Sequence, residues 1–220
     1  MCGFVQRVNK GSVINELLNT AGLPELTLNE GDFYPGGRVD IILSDPVPRS
    51  ACSTWWFLLG EGGKPNYKYT TFNARRLDGR MWKSPLKHTR CLIPATAFGE
   101  SIGEGKAKRS YLLESDGAFF LGGLYRHYET EQGTVTSFAV ITCNPHPRLS
   151  KYHDKACPLF LPPDPKVISD WLDPNLTGIN HFQHWIDQPV LTTNFQVTPV
   201  LSTKKLATIG PAEGLSKDTA

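Results

Sequence analysis

The residue best suited to chemistry is a cysteine at the second position, in the opening Met1-Cys2-Gly3. Methionine aminopeptidase accepts a small residue after the initiator methionine, so processing is expected to leave Cys2 at the amino terminus. Such a terminus places an α-amine and a thiol, with reference pKa values of about 7.7–8.0 and about 8.5, on adjacent carbons. The amine can attack an aldehyde to form a Schiff base, and the thiol can then close a five-membered thiazolidine. Cys2 is therefore a candidate for covalent capture of an aldehyde.

Three further stretches place reactive polar residues inside or beside apolar runs: Asn73-Ala-Arg75, Glu100 and Tyr152-His153. Each has a structural explanation as well. Asn73 suits a turn, Glu100 suits the exposed end of a strand, and a single histidine is more often structural than catalytic. No single one of these residues distinguishes a structural role from a catalytic one. Their order along the chain is the informative feature.

The ordered set resembles the SOS response-associated peptidase (SRAP) family, whose members form covalent crosslinks with abasic sites in single-stranded DNA. The family shares an opening Met-Cys-Gly, an Asn-Ala-Arg motif at a strand end, an Arg-Cys-Leu-Ile-Pro-Ala run leading to a glutamate, and a late histidine followed by an acid, a base and a proline. In this chain the motifs fall at 1–3, 73–75, 90–100 and 153–158. Each motif alone is weak, but the ordered set is specific.

The resemblance implies two groups of functional residues. The catalytic group is Cys2, Asn73, Glu100 and His153, and the DNA-binding group is Trp56, Arg75, Arg76 and Thr142. In this scheme the histidine assists opening of the sugar ring, the glutamate moves protons during Schiff-base (lyase-type) chemistry, and the asparagine holds the terminus. Removal of Met1 could be autocatalytic, as a hydrolase, or could be left to an aminopeptidase. No metal and no cofactor are expected.

The chain departs from the family pattern mainly at residues expected to touch DNA. Phe4 stands where relatives carry arginine, and the 57–66 segment lacks their tryptophan-containing pattern. The usual Asp-Gly-aromatic-aromatic-Glu-Trp segment is here Thr96-Ala-Phe-Gly-Glu-Ser101, which keeps the carboxylate and loses its aromatic neighbour. These differences indicate a divergent branch, bacterial or phage-encoded, with an altered substrate preference.

Length and charge narrow the remaining classes. A chain of 220 residues fits one domain with a sizeable core. Its net charge of +2 excludes the overall basic field of a duplex-DNA binder, so any DNA contact needs a local patch. Five cysteines without a CxxC spacing favour reduced thiols, and no stretch approaches a membrane span or a signal peptide. The prediction is a cytoplasmic protein acting at the nucleoid.

The elements that must position these residues are mostly short β-type runs divided by glycine and proline turns, and one such strand is predicted at Trp55-Trp-Phe-Leu-Leu59. Helices are predicted near 12–21, 164–172 and 182–186, the second behind an aspartate cap with proline at its first position. With the resemblance, the fold class is α+β: a single domain over 1–208 with a β-rich, barrel-like mixed sheet flanked by short helices. Residues 209–220 are expected to form a disordered tail.

Two other functions compete with abasic-site capture. A thiol peptidase or amidase would use Cys2 as nucleophile, with His153 or the terminal amine as base. A non-catalytic single-stranded DNA binder would stack bases on Trp55, Trp56 and Tyr69. Capture predicts abasic single-stranded DNA as the partner of a monomer, and a crosslink that survives denaturation distinguishes it from both alternatives.

Overall fold

The computed structural model describes residues 2–44, 46–178 and 180–219, and within them thirteen strands form one mixed sheet. The strands are β1 (Val5–Arg7), β2 (Gly31–Phe33), β3 (Arg38–Ser44), β4 (Pro48–Thr54), β5 (Asn73–Ala74), β6 (Arg90–Ile102), β7 (Arg109–Thr130), β8 (Gly133–Cys143), β9 (Cys157–Pro158), β10 (Phe160–Leu161), β11 (Phe195–Ser202), β12 (Lys205–Thr208) and β13 (Glu213–Leu215). The helices are α1 (Val13–Thr20), α2 (Arg80–His88), α3 (Pro165–Leu172) and α4 (Asn180–Asp187). Across these described ranges, no helix is long and apolar enough to cross a bilayer.

Five of the strands close into a ring. β7 pairs with β8, β8 runs parallel to β4, β4 is antiparallel to β3, β3 contacts β6, and β6 returns to β7. The longest strands, β6 and β7, have 13 and 22 residues, so each reaches beyond the ring to carry further strands. This closure confirms the α+β, barrel-like mixed sheet expected from the sequence and the resemblance.

Apolar side chains cover both sides of the sheet, because alternate residues of a strand point to opposite faces. Along β6, Cys91 and Ile93 join the cluster inside the ring, whereas Leu92 joins the layer beneath the helices. Four phenylalanines pack inside with ring centroids 5.3–6.1 Å apart, mostly edge to face: Phe98, Phe119, Phe160 and Phe195. Cys2 belongs to the same interior cluster, so the barrel wall encloses the candidate nucleophile.

Helix α3 begins where its local sequence signals predict. The carboxylate of Asp164 accepts hydrogen bonds from the amides of Lys166 and Val167, at 2.9 and 3.0 Å, and Pro165 occupies the first turn as predicted. Helix α2 was not predicted. It contains a proline and several basic residues, and only Trp82 and Leu86 are buried along it.

Two segments differ from their predicted form. Residues 55–59 are apolar but form no strand. Their apolar composition reflects the burial of these side chains in the core, which does not require a strand. The tail expected to be disordered contains β13, which pairs with β11, and Leu215 at its end is 8% exposed. Composition could not reveal this docking, since it depends on long-range pairing.

Candidate active site

Four elements bring the candidate catalytic residues together. Cys2 precedes β1, which lies between β2 and β6 and aligns Val5 with Phe98. Glu100 lies near the end of β6, and Asn73 starts β5, which pairs in parallel with β8. His153 follows a short turn after β8. Sheet pairing thus gathers residues that are far apart in sequence.

Cys2 is buried, with 0% exposure. Its carbonyl accepts a hydrogen bond from Asn73 Nδ2 at 3.0 Å, and its thiol donates to the Phe4 carbonyl at 3.7 Å. Burial, and next the negative charge of Glu100, raise the pKa of the Cys2 thiol. At neutral pH the sulfur is therefore a protonated thiol.

The other end of the Asn73 amide is unusual. Asn73 Oδ1 is buried and has no hydrogen-bond partner among the described residues. A buried acceptor without a partner costs about 1–3 kcal/mol, so native structures rarely keep one without a reason. Since Nδ2 of the same amide holds Cys2, this oxygen is suited to accept a hydrogen bond from a reacting group beside it.

Glu100 and His153 form a buried acid and base pair, at 4% and 7% exposure. Glu100 Oε2 lies 3.5 Å from His153 Nδ1, and the same nitrogen donates to the Ser101 carbonyl at 2.8 Å. Burial raises the pKa of Glu100, and the charge of His153 opposes that rise. Because Nδ1 donates to this carbonyl, the neutral form of His153 carries its proton on Nδ1. A carboxyl with a raised pKa next to an imidazole can move protons near neutral pH.

Three of the four expected DNA-binding residues line one cavity of about 480 Å³: Arg75, Arg76 and Thr142. Arg75 donates to the Lys155 carbonyl, which ties the cavity edge to the segment after His153. Arg76 has φ 56, one of two left-handed non-glycine residues among those described. Thr142 is 4% exposed, and its hydroxyl donates to the Ala74 carbonyl at 3.5 Å.

The fourth expected DNA contact, Trp56, lies inside the fold and is only 7% exposed. Its indole N–H donates to the Asn66 carbonyl at 3.1 Å, and its ring packs against Tyr67 and Phe72. The exposed rings nearby are Tyr67 and Tyr69, at 71% and 49%. Sequence reasoning missed Tyr67; the signal was its position in a glycine- and proline-rich loop, where an aromatic residue is not needed for a core.

Phe4 and Gly99 depart from the family pattern together, and the structure connects them. Phe4 is fully buried with its ring 5.2 Å from that of Tyr34. A Cβ at Gly99 would lie 3.0 Å from the Phe4 ring and 2.8 Å from the Thr203 methyl group. Phe4, which directly precedes β1, thus occupies the space that a side chain at position 99 would need.

The geometry brings together Cys2, Asn73, Glu100 and His153. Asn73 contacts Cys2, Glu100 contacts His153, and the charge of Glu100 acts on the Cys2 thiol. Within the described ranges, no group of three or more His, Cys, Asp or Glu side chains could hold a metal ion. The cluster contains a nucleophile, an acid, a base and an amide, which suits carbonyl addition and proton transfer.

Known proteins resemble the chain over most of its length. The sequence model of the SOS response associated peptidase (SRAP) family matches residues 1–204. Two curated relatives from Bacillus subtilis strain 168 are abasic site processing protein YoqW, 25% identical, and abasic site processing protein YoaM, 29% identical, each over 197 residues. Both alignments cover 83% of this chain, and they cover 85% and 84% of the respective relatives.

Solved structures share the fold. A protein from Bacteroides thetaiotaomicron has a TM-score of 0.66 and 18% identity, covering 90% of this chain and 92% of that protein. A phage-related protein from Bordetella bronchiseptica has a TM-score of 0.61 and 20% identity, covering 94% of this chain and all of that one. At these identities the likeness concerns the fold alone.

Proposed function

This chain belongs to the SOS response associated peptidase family, and from that premise we propose that it processes abasic sites in single-stranded DNA by covalent capture at Cys2. Membership confirms the family predicted from the ordered motifs. The observation that carries the proposal is the meeting of Cys2, Asn73, Glu100 and His153 in one buried cluster. The curated relatives' names refer to abasic site processing, which agrees with the substrate.

Capture first requires a free amine at Cys2. Hydrolysis of the Met1–Cys2 peptide bond consumes one water and releases methionine. Glu100 is suited to activate that water for attack on the Met1 carbonyl, and Asn73, which donates to the Cys2 carbonyl, holds the residue whose amine is released. A cellular aminopeptidase would give the same product.

The sugar is captured in its open form. An abasic deoxyribose is mostly a cyclic hemiacetal, so opening needs a proton at the ring oxygen and loss of one from the anomeric hydroxyl. His153 donates the first of these protons, and the Glu100 carboxylate accepts the second. The Cys2 amine then adds to the aldehyde carbon, and the resulting carbinolamine loses water to give the imine. Glu100 protonates the departing hydroxyl and takes back a proton from nitrogen.

Ring closure uses the thiol beside the new imine. The Cys2 sulfur bonds to the former aldehyde carbon, and the thiol proton passes to nitrogen, which gives a neutral thiazolidine. Asn73 Oδ1 accepts a hydrogen bond from that N–H, which satisfies an acceptor otherwise left without one. The product is a covalent protein–DNA link that shields the lesion.

The flanking strand would follow the cavity lined by Arg75, Arg76 and Thr142. Arginine forks are suited to phosphate oxygens, and the threonine hydroxyl adds a neutral contact. Both arginine side chains are exposed at the cavity edge. With a net charge of only +2, affinity depends on this local patch and falls as salt rises.

A thiol peptidase fits the site less well. That mechanism needs a thiolate activated by a base, whereas burial and the Glu100 charge raise the pKa of the Cys2 thiol. The Cys2 thiol donates to the Phe4 carbonyl, and His153 Nδ1 donates to the Ser101 carbonyl. A non-catalytic binder is disfavoured too, because Trp55 and Trp56 lie in the core and only Tyr69 of its three stacking residues is exposed.

Cys2→Ala is expected to abolish a denaturant-stable complex with abasic single-stranded DNA, because the thiazolidine cannot close. The measurement is a denaturing gel of protein incubated with an oligonucleotide from which uracil has been excised. Cys52→Ala is the matched control, since Cys52 is an exposed thiol on β4. Crosslinking by Cys2→Ala at the wild-type level would rule out the mechanism.

A second substrate separates capture from binding. An oligonucleotide with a tetrahydrofuran in place of the abasic sugar has no masked aldehyde, so it should bind without crosslinking. A crosslink to this analogue would show that another chemistry operates.

A further inference from the structure

The C-terminal segment 213–218 lies beyond the residues matched by the family model, 1–204, and returns to the turn that precedes His153. We call this segment the C-terminal strap. It is anchored by β13, which pairs with β11, and by the buried Leu215. Its acidic residues, Glu213 and Asp218, meet partners on the 146–152 turn.

Glu213 binds two consecutive residues of the turn. Glu213 Oε1 accepts from the Tyr152 hydroxyl at 2.6 Å, and Oε2 accepts from Lys151 Nζ at 2.8 Å. The Lys151 pair is more than half exposed on both sides, so screening leaves it weak. Tyr152 is only 2% exposed, which makes its hydroxyl bond the contact that fixes geometry.

Asp218 fastens the other end. Its carboxylate accepts from His146 Nε2 at 3.0 Å, from Arg148, and from the Leu191 amide at 2.7 Å. Arg148 also donates to the Ser216 carbonyl at 2.8 Å. The strap therefore holds the turn at its start, through His146 and Arg148, and at its end, through Tyr152.

The turn passes this restraint to the imidazole. The Leu149 carbonyl accepts from the backbone amides of both Tyr152 and His153, each at 2.9 Å. The Tyr152 ring packs edge to face on Tyr111, 5.0 Å away, and Tyr111 is the cross-strand partner of Glu100. Tyr152 is thus held between the strap and β7, whose Tyr111 lies opposite Glu100 of β6, and it comes one residue before the candidate base.

We infer that the strap is a positioning device for the site, in which Glu213, acting through Tyr152, sets the His153 imidazole against Glu100. The inference rests on the proposed function for its kinetic meaning. Glu213 touches neither of the reacting groups and is therefore a positioning residue. Loss of its bond to Tyr152 would leave Tyr152 and His153 free to move together.

The test measures the crosslinking rate at saturating abasic DNA for a graded series. Glu213→Ala removes the acceptor and is expected to slow crosslinking about 3- to 10-fold. Glu213→Gln keeps an oxygen acceptor for the tyrosine hydroxyl and should stay within about twofold of wild type on the same reasoning. Tyr152→Phe should match Glu213→Ala, and combining the two should add no further loss. Lys217→Ala, at an exposed strap residue, is the control.

Two more readouts separate positioning from a structural role. Affinity for tetrahydrofuran-containing DNA should not change in Glu213→Ala, whereas the imidazole NMR signals of His153 should shift. The inference is wrong if Glu213→Ala has the crosslinking rate and the imidazole signals of wild type. It is also wrong if Glu213→Ala and Glu213→Gln lose the same amount of rate, or if a loss of DNA affinity in Glu213→Ala accounts for its slower crosslinking. If wild type forms no crosslink, the proposed function fails, and the His153 signals still decide the positioning.

Discussion

Glu100 is buried beside Cys2 and His153, and burial raises the pKa of its carboxyl group. A carboxyl whose pKa is higher in the folded state holds its proton more tightly there than in the unfolded chain. Its contribution to stability is complete below the unfolded pKa and is lost as pH rises through the folded pKa. Above its folded pKa the ionised Glu100 therefore lowers stability. Burial, and next the charge of Glu100, raise the pKa of the neighbouring Cys2 thiol.

Glu100→Gln separates these two effects. The amide keeps the shape of the carboxyl without its charge, so the Tm of the variant at pH 7–8 should equal or exceed that of wild type. The difference in Tm between the two proteins should become smaller at lower pH. Crosslinking should slow by about 10²–10⁴-fold, because proton transfer is lost. Thermal melts across pH and single-turnover gels measure both quantities. A destabilised variant with lost DNA binding would instead make Glu100 a structural residue.

The guanidinium group of Arg90, at the start of β6, binds the C-terminal ends of helices α2 and α3. Arg90 is 4% exposed and donates to the carbonyls of Trp171 at 2.7 Å, Leu86 at 2.8 Å and Lys87 at 2.6 Å, and to that of Asp173. Burial lowers the pKa of Arg90 to about 10, so it remains charged at neutral pH. A cation is favourable at helix C-termini, where carbonyls lack partners. An arginine that reads as part of a family motif thus clamps two helices to the barrel.

Arg90→Lys should lower the free energy of unfolding by about 3 kcal/mol, because an ammonium group cannot reach four carbonyls in two helices. Urea denaturation at neutral pH measures the change. Arg109→Lys, at an exposed position of β7, should stay within about 0.5 kcal/mol of wild type. If Arg90→Lys lowers the free energy of unfolding by less than about 1 kcal/mol, water replaces the hydrogen bonds of the guanidinium group.

Element-level prediction from sequence succeeded where the signal is local. The Asp164-Pro165 pair predicts the start of α3 because N-terminal capping of a helix depends only on residues close in sequence. Trp56 was misleading, since an aromatic residue in an apolar run gives no sign of whether the core or a ligand receives its ring. The candidate site residues were predicted from an ordered set of motifs. Their contacts, such as Asn73 with Cys2, join positions 71 residues apart that no local pattern connects.

At the scale of the molecule, the strap depends on two carboxylates. Hydrogen bonds from Lys151 and Tyr152 lower the pKa of Glu213. Burial works against ionisation of Asp218, but the Leu191 amide, Arg148 and His146 outweigh it and lower the Asp218 pKa. A carboxylate with a lowered folded pKa contributes stability above its unfolded pKa, about 3.9 for Asp and about 4.3 for Glu. That contribution is lost as pH falls through the folded value.

The strap should therefore leave the barrel in acid before the barrel unfolds. Amide hydrogen exchange of residues 213–218 should accelerate below about pH 4, relative to intrinsic rates, while β8 stays protected. A Glu213→Gln, Asp218→Asn double variant should lose this pH dependence. Simultaneous release of strap and barrel would show that the strap has no separate stability.

The pairing of β1 also has a consequence for synthesis. Val5 aligns with Phe98, so the pairing of β1 with β6 cannot form until β6 has been made. At about 5–20 residues per second, a growing polypeptide needs roughly 5–20 s to make that stretch. Once it has left the ribosomal tunnel, the start of the nascent chain is accessible to ribosome-associated enzymes for the rest of this interval. Under the proposed function, translation order thus separates the removal of Met1 from the packing of Cys2 into the barrel.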